Sequence, residues 1–277
     1  MKKNFYKIII ILFVVQFFIL FYTFLKKDEE KSPLKIDSKT YRATGYDNRI
    51  KGVILHYTAL NNEDSLRVLT KQKVSSHYLI TDEKEVSIYS LVDDDKRAWH
   101  AGKSSFMGRS NLNDTTIGIE IVNPGSQSSK DGESNYIPYT EDQIEKIAHL
   151  LKYLIEKHNI EPRMVLGHSD IAPGRKKDPG PLFPWKDLYE EHGIGAWYDE
   201  IDKISFMNLE IFSKLPIMDI KKEFQKYGYS MPETEVWDSQ SIQVVRAFQL
   251  HFRPENINGE VDLETYAILK ALNKKYE

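Results

Sequence analysis

Residues 140–166, TEDQIEKIAHLLKYLIEKHNIEPRMVL, predict an amphipathic helix followed by a strand. Residues 140–143 have the composition of a capping box, which places the start of the helix there. Isoleucine and leucine then recur on one helical face as far as Ile155. Residues 164–166 are a short apolar run of the kind that forms a strand. A helix that leads into a strand is typical of an α/β domain.

Four further short runs, rich in Ile, Val and Tyr, predict strands on the N-terminal side of this helix. They are GVILHY (52–57), SHYLIT (76–81), VSIYSLV (86–92) and IGIEIV (117–122). Because these strands alternate with helical patterns, residues 41–192 are predicted to form an α/β domain around a sheet.

The C-terminal 63 residues carry a different pattern. Apolar residues with helical spacing predict three short helices, near residues 220–227, 242–248 and 266–272. Gly228 suits the end of the first helix, and Asp262 suits the start of the third. Residues 215–277 are therefore predicted to be a small three-helix binding domain, and residues 193–214 to be a bridging region without a clear pattern.

The composition limits the chemistry available to the chain. It has 277 residues, 38 Lys and Arg, 41 Asp and Glu, and no cysteine. This length favours two domains of about 150 residues or fewer. Without cysteine there are no disulfides, thiol nucleophiles, Cys-ligated zinc sites or cysteine-linked lipid anchors. Any bound metal must be held by histidine and carboxylate.

Residues 8–25 form an uncharged apolar stretch preceded by three lysines. As a helix the stretch spans about 27 Å, which is enough to cross the hydrocarbon core of a bilayer. No small-residue cleavage site precedes Lys26, so residues 1–27 are predicted to be an uncleaved transmembrane anchor and residues 28–40 a linker. A cleaved signal peptide and a buried soluble helix are the alternatives.

The predicted exported part has no excess of positive charge. Residues 1–27 contain five lysines and no acid, so the remainder has 33 basic against 41 acidic residues. A nucleic-acid-binding protein normally carries a basic surface. We therefore expect no nucleic-acid partner.

Two histidines and one aspartate have the arrangement of a metal site. His56 ends an otherwise apolar strand, His168 follows another, and Asp178 lies ten residues further along a proline-rich loop. Two His and one Asp suit Zn²⁺ with a fourth position left for water. A histidine at a strand end and an aspartate before proline are also common in loops, so spacing alone leaves the purely structural interpretation open.

Glu120 and Lys176 are candidate catalytic residues. Glu120 is a lone carboxylate in an apolar strand, where it is either a general base or one side of a half-exposed strand. Lys176 lies two residues before Asp178, so both side chains project to one side if the loop is extended. The alternative for Lys176 is a solvated basic loop, which is also how Arg175 and Lys177 are explained.

Five segments together resemble the zinc-dependent N-acetylmuramoyl-L-alanine amidases of the type 2 family, in particular the AmiD branch with a C-terminal peptidoglycan-binding domain. They are LHYT (55–58), SSHYLI (75–80), RAWHAG (97–102), IGIEIVN (117–123) and GHSDIAPGRKKDPGPLFPW (167–185). The resemblance implies a mixed central β-sheet flanked by helices, as in peptidoglycan recognition proteins. It implies hydrolysis of the amide between N-acetylmuramic acid and L-alanine of the stem peptide.

The resemblance also implies a role for each candidate. His56, His168 and Asp178 match the family's zinc ligands, Glu120 its catalytic acid and base, and Lys176 the residue that stabilises the oxyanion. The C-terminal segment resembles the three-helix peptidoglycan-binding fold, which implies a module that raises the local concentration of enzyme at the wall.

Four more residues are candidate substrate contacts. They are Tyr57, His77, Trp99 and His100, with packing as the alternative for His77 and Trp99. The other four histidines, His149, His158, His192 and His251, belong to no motif and are predicted to be surface or packing residues.

The chain departs from the AmiD branch in one respect, because that branch is anchored through a lipidated cysteine and this chain has none. The N-terminal apolar stretch is the predicted replacement. The sequence thus predicts a monomeric zinc amidase of the bacterial cell envelope that acts on peptidoglycan or its fragments, membrane-anchored or secreted after cleavage. The alternatives are a non-catalytic muropeptide-binding protein and a zinc peptidase on the stem peptide.

Overall fold

The computed structural model describes residues 16–17, 34, 36–84, 88–128 and 134–277. It divides into two compact units, residues 1–47 and 48–277. In the first unit the carboxylate of Asp37 accepts hydrogen bonds from the backbone N–H groups of Lys39 and Thr40. The predicted anchor lies outside the described residues apart from 16–17. Within the described part of the chain, no helix is long and apolar enough to cross a membrane.

A five-stranded mixed sheet forms the centre of the second unit, as the family resemblance implied. The strands of this unit are β1 (Gly52–Tyr57), β2 (Tyr78–Ile80), β3 (Ile88–Ser90), β4 (Ser105–Phe106), β5 (Arg109–Ser110), β6 (Thr116–Ile121), β7 (Ser126–Ser128), β8 (Ser134–Tyr136) and β9 (Val165–Gly167). The strand order in the sheet is β3-β2-β6-β1-β9, and only the β2–β3 pair is antiparallel. Two small two-stranded sheets, β4–β5 and β7–β8, lie outside it.

The register of the parallel strands brings the predicted site residues to one edge of the sheet. His56 of β1 is paired with Glu120 of β6, and Leu55 is paired with Gly167, the residue before His168. Ligands of open α/β sheets bind outside the carboxyl ends of the strands. The sheet therefore positions three of the predicted residues where such a site is expected.

Helices pack around the sheet. The predicted helix at 141–158 is confirmed, and its capping box is formed, because the Thr140 hydroxyl accepts from the Gln143 N–H and the Gln143 side chain accepts from the Thr140 N–H. The helix at 62–71 was not predicted. In chain order the first four helices are α1 (Asn62–Lys71), α2 (Glu141–His158), α3 (His168–Ile171) and α4 (Trp185–His192).

The three predicted C-terminal helices are also confirmed, and two short helices occupy the bridging region. Asp262 caps the last helix through its side chain, and Gly228, with φ of 135°, ends the first. The helices are α5 (Glu200–Phe206), α6 (Leu209–Phe212), α7 (Ile217–Tyr227), α8 (Ser239–Phe252) and α9 (Leu263–Lys275).

The C-terminal helices share one hydrophobic core with the sheet, which differs from the picture of a tethered module. The core includes Ile117 and Ile119 of β6 together with Phe224 and Phe248 of the helices. The ring of Phe106 meets that of Tyr229 edge to face, with centroids 5.3 Å apart. Because separating the two parts would expose these aromatic side chains to water, the helices are a fixed part of the unit.

Candidate metal centre

Three side chains converge at the carboxyl edge of the sheet. Nδ1 of His56 lies 2.9 Å from Nδ1 of His168, and both nitrogens lie 3.0 Å from Oδ2 of Asp178. All three residues are buried. The two histidines and the aspartate singled out in the sequence therefore meet at one point.

Local structure explains why residues so far apart in the chain meet. His56 comes from β1, and His168 is the first residue of α3, directly after β9. The loop after α3 returns to place Asp178 beside them, and the carbonyl oxygen of Asp178 accepts the Ser169 N–H at 2.9 Å. Gly167 permits this return, because a Cβ there would lie 2.7 Å from the ring of Pro179.

The surroundings hold His56 and Asp178 in the protonation states that metal ligands need. Burial lowers the pKa of His56 to about 4, with a further contribution from His168, so the imidazole is neutral at pH 7. Burial opposes ionisation of Asp178, but hydrogen bonds from His168 and His56 outweigh it and lower the pKa of this carboxyl below its usual range. A neutral imidazole and an ionised carboxylate are the forms that bind metal.

The geometry of the three atoms fits a divalent cation. Tetrahedral ligands about 2.0–2.1 Å from zinc lie about 3.3 Å from one another, close to the separations of 2.9–3.0 Å found here. Two buried imidazole nitrogens and one carboxylate oxygen meet at one point. A cation bound there would contact all three atoms. These are the only residues in the described part of the chain whose side chains meet in a group suited to a metal ion.

Glu120 lies beside this centre on the neighbouring strand. Its Oε2 is buried and has no hydrogen-bond partner among the described residues. Burial raises the pKa of Glu120 to about 8, the charge of Asp178 adds to the effect, and Lys176 opposes it. A poorly solvated carboxyl group with a pKa near neutrality suits proton transfer. A cation held by the nearby ligands would favour its ionised form.

Two basic residues of the 173–178 loop take different positions. Lys176 is exposed and lines the cavity above the ligands, as does Asp178. Arg175 is exposed as well, as predicted for a solvated loop, but it also makes specific contacts. Its guanidinium donates to the carbonyl oxygens of Ala101 and Lys103 at 2.7 and 2.8 Å. Arg175 therefore fastens the loop to the segment that follows Trp99.

A cavity of about 460 Å³ opens over the metal centre. Eight of the nine predicted site residues line it, namely His56, Tyr57, Trp99, His100, Glu120, His168, Lys176 and Asp178. The half-buried Tyr57 has a pKa raised to about 12 by burial and by the charge of Asp178, so its hydroxyl stays protonated and can donate a hydrogen bond.

One wall of the cavity was missed by the sequence reasoning. Leu60, Val68 and Val74, in and around α1, form an apolar part of its lining. The exposed ring of Trp99 stands at the same rim, with the guanidinium carbon of Arg97 4.1 Å from its centroid. The cavity thus combines an apolar wall and an aromatic rim with a polar floor, the usual make-up of an organic ligand site.

The two remaining candidates are deeply buried. His77 does not line the cavity; it has no exposed surface, and its Nδ1 accepts the Gly118 N–H at 2.9 Å. His100 is 9% exposed, and its Nδ1 lies 3.1 Å from Nε2 of His56. Burial, and then the neighbouring His56, lower the pKa of His100 well below the usual range of histidine.

Comparison with known families identifies both parts of the second unit. The family model of N-acetylmuramoyl-L-alanine amidase matches residues 46–181. The model of a peptidoglycan binding domain matches residues 214–269. The first match includes all three candidate ligands, and the second covers helices α7 and α8 and the start of α9.

Relatives match along most of the chain. The N-acetylmuramoyl-L-alanine amidase AmiD of Escherichia coli (strain K12) is 39% identical over 254 residues, which are 89% of this chain and 90% of that protein. A complex of the E. coli enzyme with the substrate anhydro-N-acetylmuramic acid-L-Ala-D-gamma-Glu-L-Lys superimposes with a TM-score of 0.80 at 38% identity, covering 89% of this chain and 97% of that chain.

A second solved structure is equally similar. The crystal structure of AmpDh3 from Pseudomonas aeruginosa in complex with anhydromuramic pentapeptide has a TM-score of 0.80 and 44% identity. The match covers 88% of this chain and 99% of that one. Both solved complexes therefore resemble this chain in the sheet and in the C-terminal helices.

Proposed function

The chain belongs to the N-acetylmuramoyl-L-alanine amidase family, and on that premise we propose that it hydrolyses the amide bond between N-acetylmuramic acid and L-alanine in peptidoglycan or its fragments. The observation that carries this proposal is the pairing of Glu120 with His56 across adjacent parallel strands. It places a carboxyl group with a raised pKa beside a His-His-Asp centre at the floor of one cavity.

The metal in this proposal is zinc, which would be held by His56, His168 and Asp178. Bound there, zinc supplies Lewis-acid polarisation of the scissile carbonyl and activation of water near neutral pH. The donor set supports zinc, since two imidazoles and one carboxylate are typical of catalytic zinc sites. Burial of all three ligands also limits the access of competing water to the centre.

Glu120 is the proposed general base and acid. It accepts a proton from the attacking water, and it returns that proton to the nitrogen of L-alanine when the amide bond breaks. Its buried Oε2, which has no hydrogen-bond partner in the part of the chain that the structure describes, has a lone pair free for this transfer. The pKa raised by burial makes the carboxyl group a stronger base than an exposed glutamate.

Lys176 is the proposed electrostatic stabiliser of the oxyanion. Lys176 lines the same cavity, and its positive charge acts on both His56 and Glu120. A cation placed where negative charge develops lowers the energy of the tetrahedral transition state. Exposure is compatible with this role, because bound substrate would cover the cavity and remove water from the ammonium group.

The remaining cavity residues are proposed to hold the substrate. Trp99 provides an exposed aromatic face, and Tyr57 provides a hydroxyl group that can donate a hydrogen bond. Leu60 and the apolar residues beside it provide an apolar wall. The C-terminal helices, which match a peptidoglycan binding domain, are proposed to contact the same polymer. The proposed location is the cell envelope, and the membrane anchor at residues 1–27 stays a prediction.

The test is digestion of defined muropeptides by the full-length chain, with the products identified by mass spectrometry. We expect free stem peptide that begins with L-alanine, loss of this product after chelation, and recovery when Zn²⁺ is restored. Muropeptides that are bound but left intact would favour the non-catalytic alternative. Products cut only between amino acids would favour the peptidase alternative.

A further inference from the structure

The outward-facing nitrogens of the two candidate ligand histidines are held by two adjacent residues of the RAWHAG segment. Nε2 of His56 lies 3.1 Å from Nδ1 of His100. Nε2 of His168 lies 3.1 Å from the carbonyl oxygen of Ala101. One two-residue piece of the chain therefore contacts both imidazoles on the side away from the metal centre, through the His100 ring and the Ala101 carbonyl.

That piece of backbone is itself fixed by a single buried side chain. Oδ1 of Asn113 accepts the backbone N–H groups of His100 and Ala101, at 3.0 and 2.8 Å. Asn113 is 5% exposed and lies in the short 3-10 helix Leu112–Asp114. Two hydrogen bonds to one acceptor leave the His100–Ala101 segment little freedom to move away from the ligands.

A missing side chain in β6 makes room for the His100 ring. Gly118 precedes Glu120 by two residues, so both positions face the same side of the sheet. A Cβ at Gly118 would lie 2.4 Å from Cγ of His100, far inside van der Waals contact. Gly118 therefore leaves the space that the His100 imidazole occupies, beside β1 and His56.

The contact to His100 matters because His56 has two competing tautomers. Asp178 lies 3.0 Å from Nδ1 of His56 and attracts a proton to that nitrogen, which removes the lone pair that a metal needs. When the proton of His100 is on its own Nε2, its Nδ1 is an acceptor and attracts the proton of His56 to the opposite side of the ring. The partner of the non-ligating nitrogen commonly sets the tautomer of a metal-binding histidine.

We infer that His100 is a positioning residue for the metal centre, which fixes His56 as the Nε2–H tautomer and directs its Nδ1 lone pair toward the bound metal. At His168 the carbonyl oxygen of Ala101, which can only accept, favours the same tautomer, since it lies 3.1 Å from Nε2 and is nearer than the Arg175 guanidinium nitrogen at 3.3 Å. This assignment replaces the substrate-contact role expected for His100 from the sequence. It rests on the metal centre proposed above.

Two variants of His100 separate hydrogen bonding from space filling. In His100→Asn the amide oxygen takes the position of the imidazole Nδ1, so the acceptor is kept. His100→Leu has a similar size and shape but lacks any acceptor. Loss of an outer hydrogen-bond partner typically weakens metal binding by about 10- to 100-fold, which is the effect expected for His100→Leu but not for His100→Asn.

The first measurement is the zinc dissociation constant of each full-length variant, by competition with a chromophoric chelator. Gln249→Leu is the control, because Gln249 is fully buried and donates to the Glu260 carbonyl at 2.9 Å but belongs to the C-terminal helices. It should lower stability and leave zinc affinity unchanged. The second measurement is the NMR signal of the imidazole Nε2–H protons in zinc-loaded protein. His100→Leu should lose the slowly exchanging His56 signal and keep that of His168.

Two results would overturn the inference. One is zinc binding by His100→Leu as tight as that of the wild type, with the His56 proton still protected. The other is equal weakening in His100→Asn and His100→Leu, which would mean that the ring only fills space. A wild-type chain that binds no zinc would refute the proposed metal centre itself, so the two failures are distinguishable.

Discussion

Oδ2 of Asp170 lies 2.8 Å from Nδ1 of His251, and this contact joins the metal-ligand segment to the C-terminal helices. Asp170 follows His168 by two residues in α3, and its Oδ1 accepts the Tyr229 hydroxyl at 2.6 Å. The His251 imidazole is stacked on Trp185, with ring centroids 3.9 Å apart. The C-terminal helices therefore support the segment that carries a metal ligand.

Replacing Tyr229 with phenylalanine tests this junction. Tyr229→Phe removes one hydrogen bond to a buried carboxylate, which should lower the free energy of unfolding by about 1.5–3 kcal/mol. Urea denaturation measures the change. Tyr227→Phe is the matched control, because its ring is also buried and stacks on Tyr229, whereas its hydroxyl makes no hydrogen bond to Asp170. Equal effects of the two substitutions would contradict the importance of the junction.

Replacing Glu120 with glutamine separates proton transfer from metal binding. Glu120→Gln keeps the shape of the side chain but cannot accept a proton, so kcat should fall by about 10²- to 10⁴-fold while zinc stays bound. His168→Ala removes a ligand and should lose the metal. Zinc content and turnover are measured on the same samples, with the exposed Glu145→Gln as control. Equal loss of zinc from both site variants would refute the assigned roles.

Removing the ammonium group of Lys176 tests the electrostatic contribution. Lys176→Met should lower kcat by about 10²- to 10³-fold, the usual effect of losing one oxyanion stabiliser, with little change in zinc affinity. Steady-state kinetics on a soluble muropeptide provides kcat and KM separately. Lys186→Met, on the exposed face of α4, is the control. A rise in KM alone would indicate that Lys176 only binds substrate.

Asp94 should make stability depend on pH far from the catalytic site. Burial opposes its ionisation, but hydrogen bonds from Lys157, His158 and Tyr78 outweigh burial and lower the pKa of Asp94 to about 2. Because the folded-state pKa lies below the ordinary value of 3.8, the ionised group stabilises the fold above pH 3.8, and this contribution is lost as the pH falls toward 2.

The corresponding variant is Asp94→Asn. It should cost about 1–2 kcal/mol at pH 7, less than the pKa shift alone implies because solvent screens the group, and the difference from wild type should shrink toward pH 2. Chemical denaturation at several pH values measures it, with the exposed Asp93→Asn as control. A difference that stays constant down to pH 2 would contradict the assignment.

Local signals in the sequence predicted most of the regular structure. The α2 helix has its capping box in the sequence, and β1 has the boundaries predicted from GVILHY. Helix α1 escaped prediction because its apolar residues are few among charged ones, with a capping Asn61 as the one usable signal. His56, His168 and Asp178 were recognisable from chemistry and family resemblance, and the structure brings them together.

Long-range contacts were beyond the reach of the sequence. Asp170 and His251 are 81 positions apart, and nothing local distinguishes either residue as half of a buried pair. Arg175 is the exposed loop residue that the sequence predicts, but the backbone carbonyls that its guanidinium contacts leave no trace in the sequence. The pairing of His100 with His56 depends on a glycine in a third segment, so it is visible only in three dimensions.

The most direct test of the central claim is hydrolysis of a muropeptide in ¹⁸O-labelled water by the full-length, zinc-loaded chain. The label enters whichever carboxyl group is released, so its position identifies the bond that water attacked. We predict ¹⁸O in the lactyl carboxylate of N-acetylmuramic acid and an unlabelled stem peptide with a free L-alanine amine. Label in a carboxylate of the stem peptide, or intact substrate with no label, would contradict the account.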